Sequence, residues 1–196
     1  MEMTRFEKFF VNREAKGLRN VARVKRMLRD VDTRSIHDVF EIGCGIGTVS
    51  ARLADEYGWN VTGTDYDAGQ IDEAKDRYPE AGGLRYRRED ATKLSFADAS
   101  FDLAIAQMVF HHIPNWPNAV TELARVLRIG GRVVWFDHVV SPGLINALGP
   151  VLRRVGLYNR MDAAKAFEKA GFEADVSYAA GLSAFSFEEV LYRKVR

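Results

Sequence analysis

Three histidines and three acids stand where they could do chemistry: His111, His112 and His138, and Glu41, Asp65 and Asp90. A histidine beside a reacting hydroxyl or acidic carbon can take its proton near neutral pH. A carboxylate at a strand end can accept hydrogen bonds from ribose hydroxyls. Just after Glu41, in "VFEIGCGIGTVSARLA", glycines fall at 43, 45 and 47. Glycine tolerates positive φ and lets a ligand approach where a Cβ would collide. Such a turn usually holds a nucleotide-bearing ligand.

The spacing narrows the ligand. A triphosphate loop needs Gly, four residues, then Gly-Lys-Ser/Thr, and no lysine lies between Gly43 and Ala54. A dinucleotide fingerprint counted from Gly43 and Gly45 would put its last glycine on Thr48. Three alternating glycines instead make a broad shelf, suited to an amino-acid-like moiety as well as a ribose. Asp65, in "VTGTDYD", lies twenty residues past Gly45 and ends a strand candidate. A carboxylate there would grip ribose hydroxyls and repel a 2′-phosphate. Asp90-Ala91, in "REDATKL", is an acceptor candidate for an exocyclic adenine amine.

The stretch "HHIPNWP" is ambiguous. Adjacent histidines cannot share one face of a helix or strand, so one at most is expected to point easily into a cleft. Asp137-His138, ending the fifth strand candidate, is expected to face the same cleft. His111 or His112 reads as a base or substrate-orienting donor, and Asp137-His138 reads either in the same way or as a strand-end hydrogen-bond partner. No metal site is expected, because His37 and His138 show no ligand spacing and no cysteine accompanies them. Cys44 is expected to be a small packed residue, and Trp116 a packing anchor.

The elements that must position these residues alternate from Ile36 onward. Strand candidates are 37–42, 60–64, 84–88, 101–106 and 131–137, with helices over 48–57, 70–78 and 117–127 between them. Short apolar runs separated by helices predict a parallel sheet covered on both faces, with ligands beyond the strands' carboxyl ends. After a helix over 162–170, two runs at 172–178 and 185–195 predict a hairpin, and so one reversed strand near the sheet's edge. Leu18, Val21, Val24 and Leu28 recur at helical spacing, with Phe6, Phe9 and Phe10 before them. The expected organisation is one domain: a helical cap over 1–34, a core over 35–140, and substrate-side helices with the terminal hairpin over 141–196.

Bulk properties fit this reading. The 196 residues suit one domain, and hydrophobic (47%) and charged (28%) fractions are ordinary for a globular protein. A single cysteine excludes an intramolecular disulfide. With no signal-peptide core and no membrane-length apolar run, a cytoplasmic location is expected. Net charge is +1, but residues 2–30 carry nine Lys/Arg against four acids, leaving the remainder acidic. The basic segment is either a solvated helix face or a surface for an anionic partner.

Together, "FEIGCGIG", "VTGTDYD", "REDATKLSFADASFDLAIAQMVFHHI" and "ELARVLRIGGRVVWFDH" resemble the class I S-adenosylmethionine-dependent methyltransferases, nearest the small-molecule branch that includes ubiquinone/menaquinone-type enzymes. The resemblance spans roughly 36–140. It implies a Rossmann-like, doubly wound sheet of seven strands with the last one reversed. It implies S-adenosyl-L-methionine as donor, released as S-adenosyl-L-homocysteine. By the same resemblance Glu41 opens the glycine motif, and Gly43, Gly45 and Gly47 line the methionine end. Asp65 binds the ribose, Tyr66 packs on the adenine, and Asp90 with the Ala91 backbone meets the adenine amine. Gln107 lies by the donor's amino-acid part. The chain departs from the family at Ile129, where proline is usual, which alters only a turn.

The implied function is in-line methyl transfer to a small molecule. Positioning alone supplies roughly 7–11 kcal/mol of barrier reduction, more than the roughly 10²–10⁴-fold from a base. Leu144, Leu148, Val151, Leu152 and Val155 are spaced either as a helix packed on the sheet or as an apolar lid for a lipid-like acceptor. With the basic 1–34 segment, such a lid could work at a membrane surface. Two alternatives are an RNA or protein methyltransferase and a non-catalytic donor-binding protein. The acidic remainder and the sequence Gln107-Met108-Val109-Phe110, in place of an Asn-Pro-Pro-Tyr-like motif, disfavour the first, and no stable nucleic-acid partner is expected. A nicotinamide oxidoreductase conflicts with the glycine spacing.

Overall fold

The apolar run Asp38–Ile42 forms β1, whose last four residues are buried. The structure, a computed structural model, describes residues 14–141, 143, 156–180 and 185–196. Phe6, Phe9, Phe10 and the 144–155 apolar series fall outside the described residues. In chain order the elements are α1 (Glu14–Met27), β1, α2 (Thr48–Tyr57), β2 (Asn60–Asp65), α3 (Ala68–Arg77) and β3 (Leu84–Arg88). There follow β4 (Phe101–Gln107), α4 (Trp116–Val126), β5 (Leu127–Val140), α5 (Arg160–Lys169), β6 (Phe172–Ala180) and β7 (Phe185–Lys194). Each expected strand and helix of the described region is present, with ends shifted by a few residues.

The seven strands lie in the order β3-β2-β1-β4-β5-β7-β6. β1 pairs in parallel with β2 and β4, β2 with β3, and β4 with β5. β7 runs antiparallel to both β5 and β6, so the terminal hairpin inserts its second strand inside its first. This is the expected mostly parallel sheet with one reversed strand. The chain moves outward from β1 to β3 and returns to lay β4 on β1's other side. The crevice at that switch point, beyond the carboxyl ends of β1 and β4, is where such sheets bind ligands.

Period-two alternation splits each central strand between two cores. Phe40, Ile42, Ala104, Ala106, Val133 and Trp135 pack with α4 and α5 on one face. Val39, Leu103, Ile105 and Val134 pack with α1, α2 and α3 on the other. Burying each large apolar side chain contributes about 1.5–3 kcal/mol.

Two local expectations are corrected. Leu18 is 45% exposed, while Val21, Val24 and Leu28 are buried. Gly17, not Leu18, meets the neighbouring helix, where a Cβ would fall 2.6 Å from Thr48 Cβ. The inward stripe is therefore Gly17, Val21, Val24 and Leu28. β5 also begins earlier than expected: Phe101 pairs with Leu127, but Leu103 pairs with Arg132. The intervening residues bulge outward around Gly130 (φ +82°), which leaves Ile129 65% exposed. Among the described residues no helix is long and apolar enough to cross a membrane.

Candidate active site

The turn after β1 carries positive φ at Gly43 (+70°), Gly45 (+53°) and Gly47 (+79°). A Cβ at Gly43 would strike Val109, and one at Gly47 would strike the Tyr86 hydroxyl. At Gly45 a Cβ would meet nothing within 4 Å, and Gly45 lines a cavity of about 540 Å³. Gly43 and Gly47 thus serve close packing of the turn itself. Gly45 keeps the shelf open.

Acids gather around this shelf. Asp65, at the end of β2, accepts from the Gly45 amide (3.1 Å) and the Asp67 amide (2.9 Å). It therefore ties the glycine turn to the next strand while lining the cavity. Burial pushes the Asp65 carboxyl above the usual carboxylate range, against the pull of those two amides. Glu41, also lining the cavity, is buried and accepts from Ser50 Oγ (2.6 Å). Burial pushes it up to about 7, with the Asp65 charge adding to the rise. Asp67, Glu89 and Asp90 complete an acidic end. Asp90 takes the amide and hydroxyl of Thr92 on one carboxylate oxygen (2.9 and 2.7 Å). Ala91 lies beside it on the wall. Tyr66, 45% exposed, lines the rim with the Arg88 guanidinium 5.6 Å from its ring centre. Cys44 is buried, and burial pushes its thiol well up, so it stays protonated as a packed side chain.

The opposite end is built from the exit of β4, the turn after it, and α1. Met108 takes φ +57°, a costly angle for a side-chain-bearing residue, while its amide donates to Phe136 O (2.7 Å). A 3-10 turn, Phe110–His112, follows at once. In it His111 and His112 both line the cavity, their ring centres 4.0 Å apart. The expectation that only one could do so is corrected. It assumed the face rules of a helix or strand, which a single tight turn does not obey.

His111 Nδ1 bonds Asp137 Oδ1 closely. Asp137 is fully buried and also accepts from the amides of Phe110 (2.7 Å), His111 (3.2 Å) and His138 (2.7 Å). The expectation that Asp137 and His138 face the cleft is corrected: Asp137 sits beneath His111 and holds its ring, since the turn after β4 covers the end of β5. With the proton held on Nδ1, Nε2 is the nitrogen that can accept from the cavity. His138 is not among the cavity-lining residues. Its ring packs 4.4 Å from Phe187 and 5.2 Å from His111, and burial, then the neighbouring His111, push its pKa down.

Gln107, buried at the end of β4, lines the cavity but turns its amide to α1. It accepts from Arg23 Nη1 (3.2 Å) and donates to Asn20 O (3.5 Å). Arg23 also bonds Asn20 Oδ1 (2.7 Å) and Glu189 (2.9 Å), and its guanidinium lies 3.5 Å above the Phe136 ring. Arg26 bonds the same Glu189. These contacts clamp α1 over the cavity, which Lys16, Gly17 and Asn20 help to line. The sequence offered no signal for them beyond the basic character of the segment, because each joins residues far apart in the chain.

One further polar group marks the glycine end. Thr48 Oγ1, in the cavity wall, is buried with no hydrogen-bond partner among the described residues. An open shelf at Gly45, an unpartnered hydroxyl and flanking carboxylates fit a ligand that bears a ribose, an amine and a cationic centre.

Comparison with known proteins agrees with this geometry. Residues 40–135 match the methyltransferase domain family. Methyltransferase GfsG of Streptomyces halstedii is 34% identical over 119 residues, covering 59% of this chain and 43% of that protein. The 2-methyl-6-phytyl-1,4-hydroquinone methyltransferase of Synechocystis is 37% identical over 99 residues, covering 50% of this chain and 31% of that protein. The chain thus matches less than half the length of these relatives. A solved geranyl diphosphate methyltransferase in complex with S-adenosylmethionine shares the fold, with a TM-score of 0.74 at 16% identity over 93% of this chain and 90% of that one.

Proposed function

We propose, on the premise that residues 40–135 form a class I S-adenosylmethionine-dependent methyltransferase domain, that the chain moves a methyl group from that donor to a small molecule. The single observation that carries the reading is the Gly45 shelf joined to Asp65: an open backbone cradle bonded directly to the carboxylate beside it. The donor, when bound, supplies an activated methyl group on a cationic sulfur.

Gly45, with Gly43 beside it in the cavity wall, supports its methionine end; Gly47, which does not line the cavity, holds the turn against Tyr86, and the Thr48 hydroxyl is a further partner. Asp65 has lone pairs beyond those given to Gly45 and Asp67, and they accept from the ribose hydroxyls. Tyr66 covers the adenine at the rim, and Asp90 with Ala91 meets the adenine amine. Glu41 acts through Ser50 and the turn rather than by ionic contact, since burial disfavours its charge. Gln107 fixes α1 over the donor's amino-acid end.

His111 is the candidate base. Asp137 holds its ring, and Nε2 takes the acceptor's proton as the new bond to methyl forms. His112 shares the wall as an orienting group. His138 packs behind His111 and contributes through the position of that ring. Apolar residues Ile42, Ile46, Val49, Val109 and Ile113 line the same cavity, which suits an acceptor with an apolar body. That the hydroquinone relative's name carries a phytyl group supports the same idea. An apolar acceptor would bring the chain to a membrane surface, with the basic 1–34 segment as its contact; co-sedimentation with anionic vesicles tests this, and absence of binding refutes it.

The reaction itself is tested by incubating the protein with radiolabelled methyl donor and pooled cellular extracts, then identifying the labelled product by mass. The expected label sits in a small molecule. Label confined to RNA or protein, or donor binding with no transfer, contradicts the proposal.

A further inference from the structure

We propose that Tyr158 is a positioning residue for the candidate base: its buried hydroxyl donates to the Asp137 carboxylate and so fixes the group that holds the His111 ring. This rests on the reading of His111 above and adds a member to its support.

Tyr158 lies away from the donor's seat. It packs on the α4–α5 face of the sheet, whereas the glycine turn and α1 pack on the other. Period two puts Asp137 on that same α4–α5 face, in line with Val133 and Trp135. The Tyr158 ring centre is 4.5 Å from that of Trp116 and 6.2 Å from that of Trp135, and the residue is 1% exposed. Its carbonyl accepts from the Val140 amide (3.0 Å), and Asn159 bridges Val140. These contacts pin Tyr158 to the end of β5, three positions past Asp137.

Two buried carboxylates share this spot. Glu188 of β7 stands directly opposite Asp137, and side chains so paired lie on one face of the sheet. Glu188 has its own cation, Arg160 Nε at 2.9 Å. Asp137 is held by three amides and His111. On its outer side Tyr158 borders a groove that Asp162 and Lys165 of α5 also line.

The Tyr158 hydroxyl is buried and aligned on no partner among the described residues. Asp137 is the side chain it faces. Burial, then the closeness of that carboxylate, push the phenol well above its ordinary range, with Tyr192 and Glu188 adding to the rise. The phenol therefore stays protonated, and toward a carboxylate it can only donate. Donation to Asp137 removes the cost of an unpaired buried hydroxyl and steadies a buried charge. A carboxylate gripped from behind keeps the His111 Nδ1 proton in place and Nε2 turned to the cavity.

The test labels the histidines of the full chain with 15N and follows the His111 Nδ1 proton by NMR, with no donor or acceptor present. Tyr158→Phe keeps the ring and removes only the hydroxyl. That proton is expected to exchange with water about tenfold faster or more, the loss of one charge-assisted hydrogen bond, while the β4 amides exchange as in wild type. Unchanged exchange with an equal or higher Tm overturns the proposal, since the hydroxyl would then be idle. Unchanged exchange with a lower Tm also overturns it, since the hydroxyl would then serve Glu188. Should Tyr158→Phe fail to fold, the wild-type hydroxyl proton decides. A nuclear Overhauser contact from it to the His111 Nδ1 proton supports the proposal, and a hydroxyl proton without that contact overturns it. With a methylated acceptor in hand, Tyr158→Phe should lower kcat about tenfold and change KM and adenosylhomocysteine affinity less than about twofold. An unchanged kcat overturns the positioning role. If wild type methylates no acceptor, the reading of His111 as a base fails instead, and the exchange rates still decide whether Tyr158 holds Asp137.

Discussion

At the glycine end of the cavity the work is done by backbone: three positive-φ glycines, an Asp65 carboxylate bonded to two amides, and the first turn of α2. At the α1 end it is done by long side chains that reach across the fold, Arg23 to Gln107 and Glu189, and His111 to a buried Asp137. The difference teaches how each end can vary. A backbone cradle fixes one ligand shape and tolerates few substitutions. Side chains from a separate helix and a 3-10 turn can be changed one at a time without disturbing that backbone.

Breaking the side-chain end alone gives the largest expected effect. His111→Ala should lower kcat about 10²–10⁴-fold, the usual worth of a general base, with adenosylhomocysteine affinity unchanged by calorimetry. Asp137→Asn should act in the same direction by loosening the ring. A parallel loss of donor affinity in either variant would show that the two ends are not separable.

Asp65→Ala should break the backbone end. Losing two charge-assisted contacts to a ribose corresponds to about 10²-fold or more in adenosylhomocysteine affinity. Unchanged affinity would remove Asp65 from the donor site.

Glu41 sharpens the contrast through pH. Its folded pKa, about 7, lies above the ordinary value of 4.5. The folded state therefore holds an extra proton between those values. Its relative stabilisation is complete below about pH 4.5 and is lost as pH rises through about 7. Glu41→Gln removes this dependence, so thermal melts should show the variant gaining on wild type between pH 5 and pH 8. The gain should be on the order of 2 kcal/mol. A constant difference across that range would contradict a buried, protonated Glu41.

The smallest effect is expected at Gly45. Alanine at φ +53° is strained but meets no neighbouring atom. Gly45→Ala should cost about 1–2 kcal/mol of stability in denaturant melts and also weaken adenosylhomocysteine, because the new methyl enters the shelf. Loss of stability with unaltered donor affinity would mean that the shelf is not the donor's seat.

The same contrast explains what could be read from sequence. Gly43, Gly45, Gly47 and Asp65 were legible because backbone geometry demands particular residue types at short spacing. The sheet was legible because its strands are buried on both faces and read as short apolar runs. The histidine pair was misjudged, since face rules for regular elements say nothing about a one-turn 3-10 segment. Asp137 was expected in the cleft because strand-end position does not reveal which neighbour will cover it. Asn20 and the Arg23 clamp were hidden because their contacts join distant parts of the chain, such as Arg23 and Glu189, 166 positions apart. The bulge that exposes Ile129 was hidden because the register shift belongs to the pairing of β4 with β5, not to either strand alone.

The most direct measurement is a crystal structure of the protein soaked with S-adenosylhomocysteine. The account predicts the homocysteine end over Gly43–Gly47, with both ribose hydroxyls within hydrogen-bond reach of Asp65. An adenosyl group bound anywhere else would contradict it.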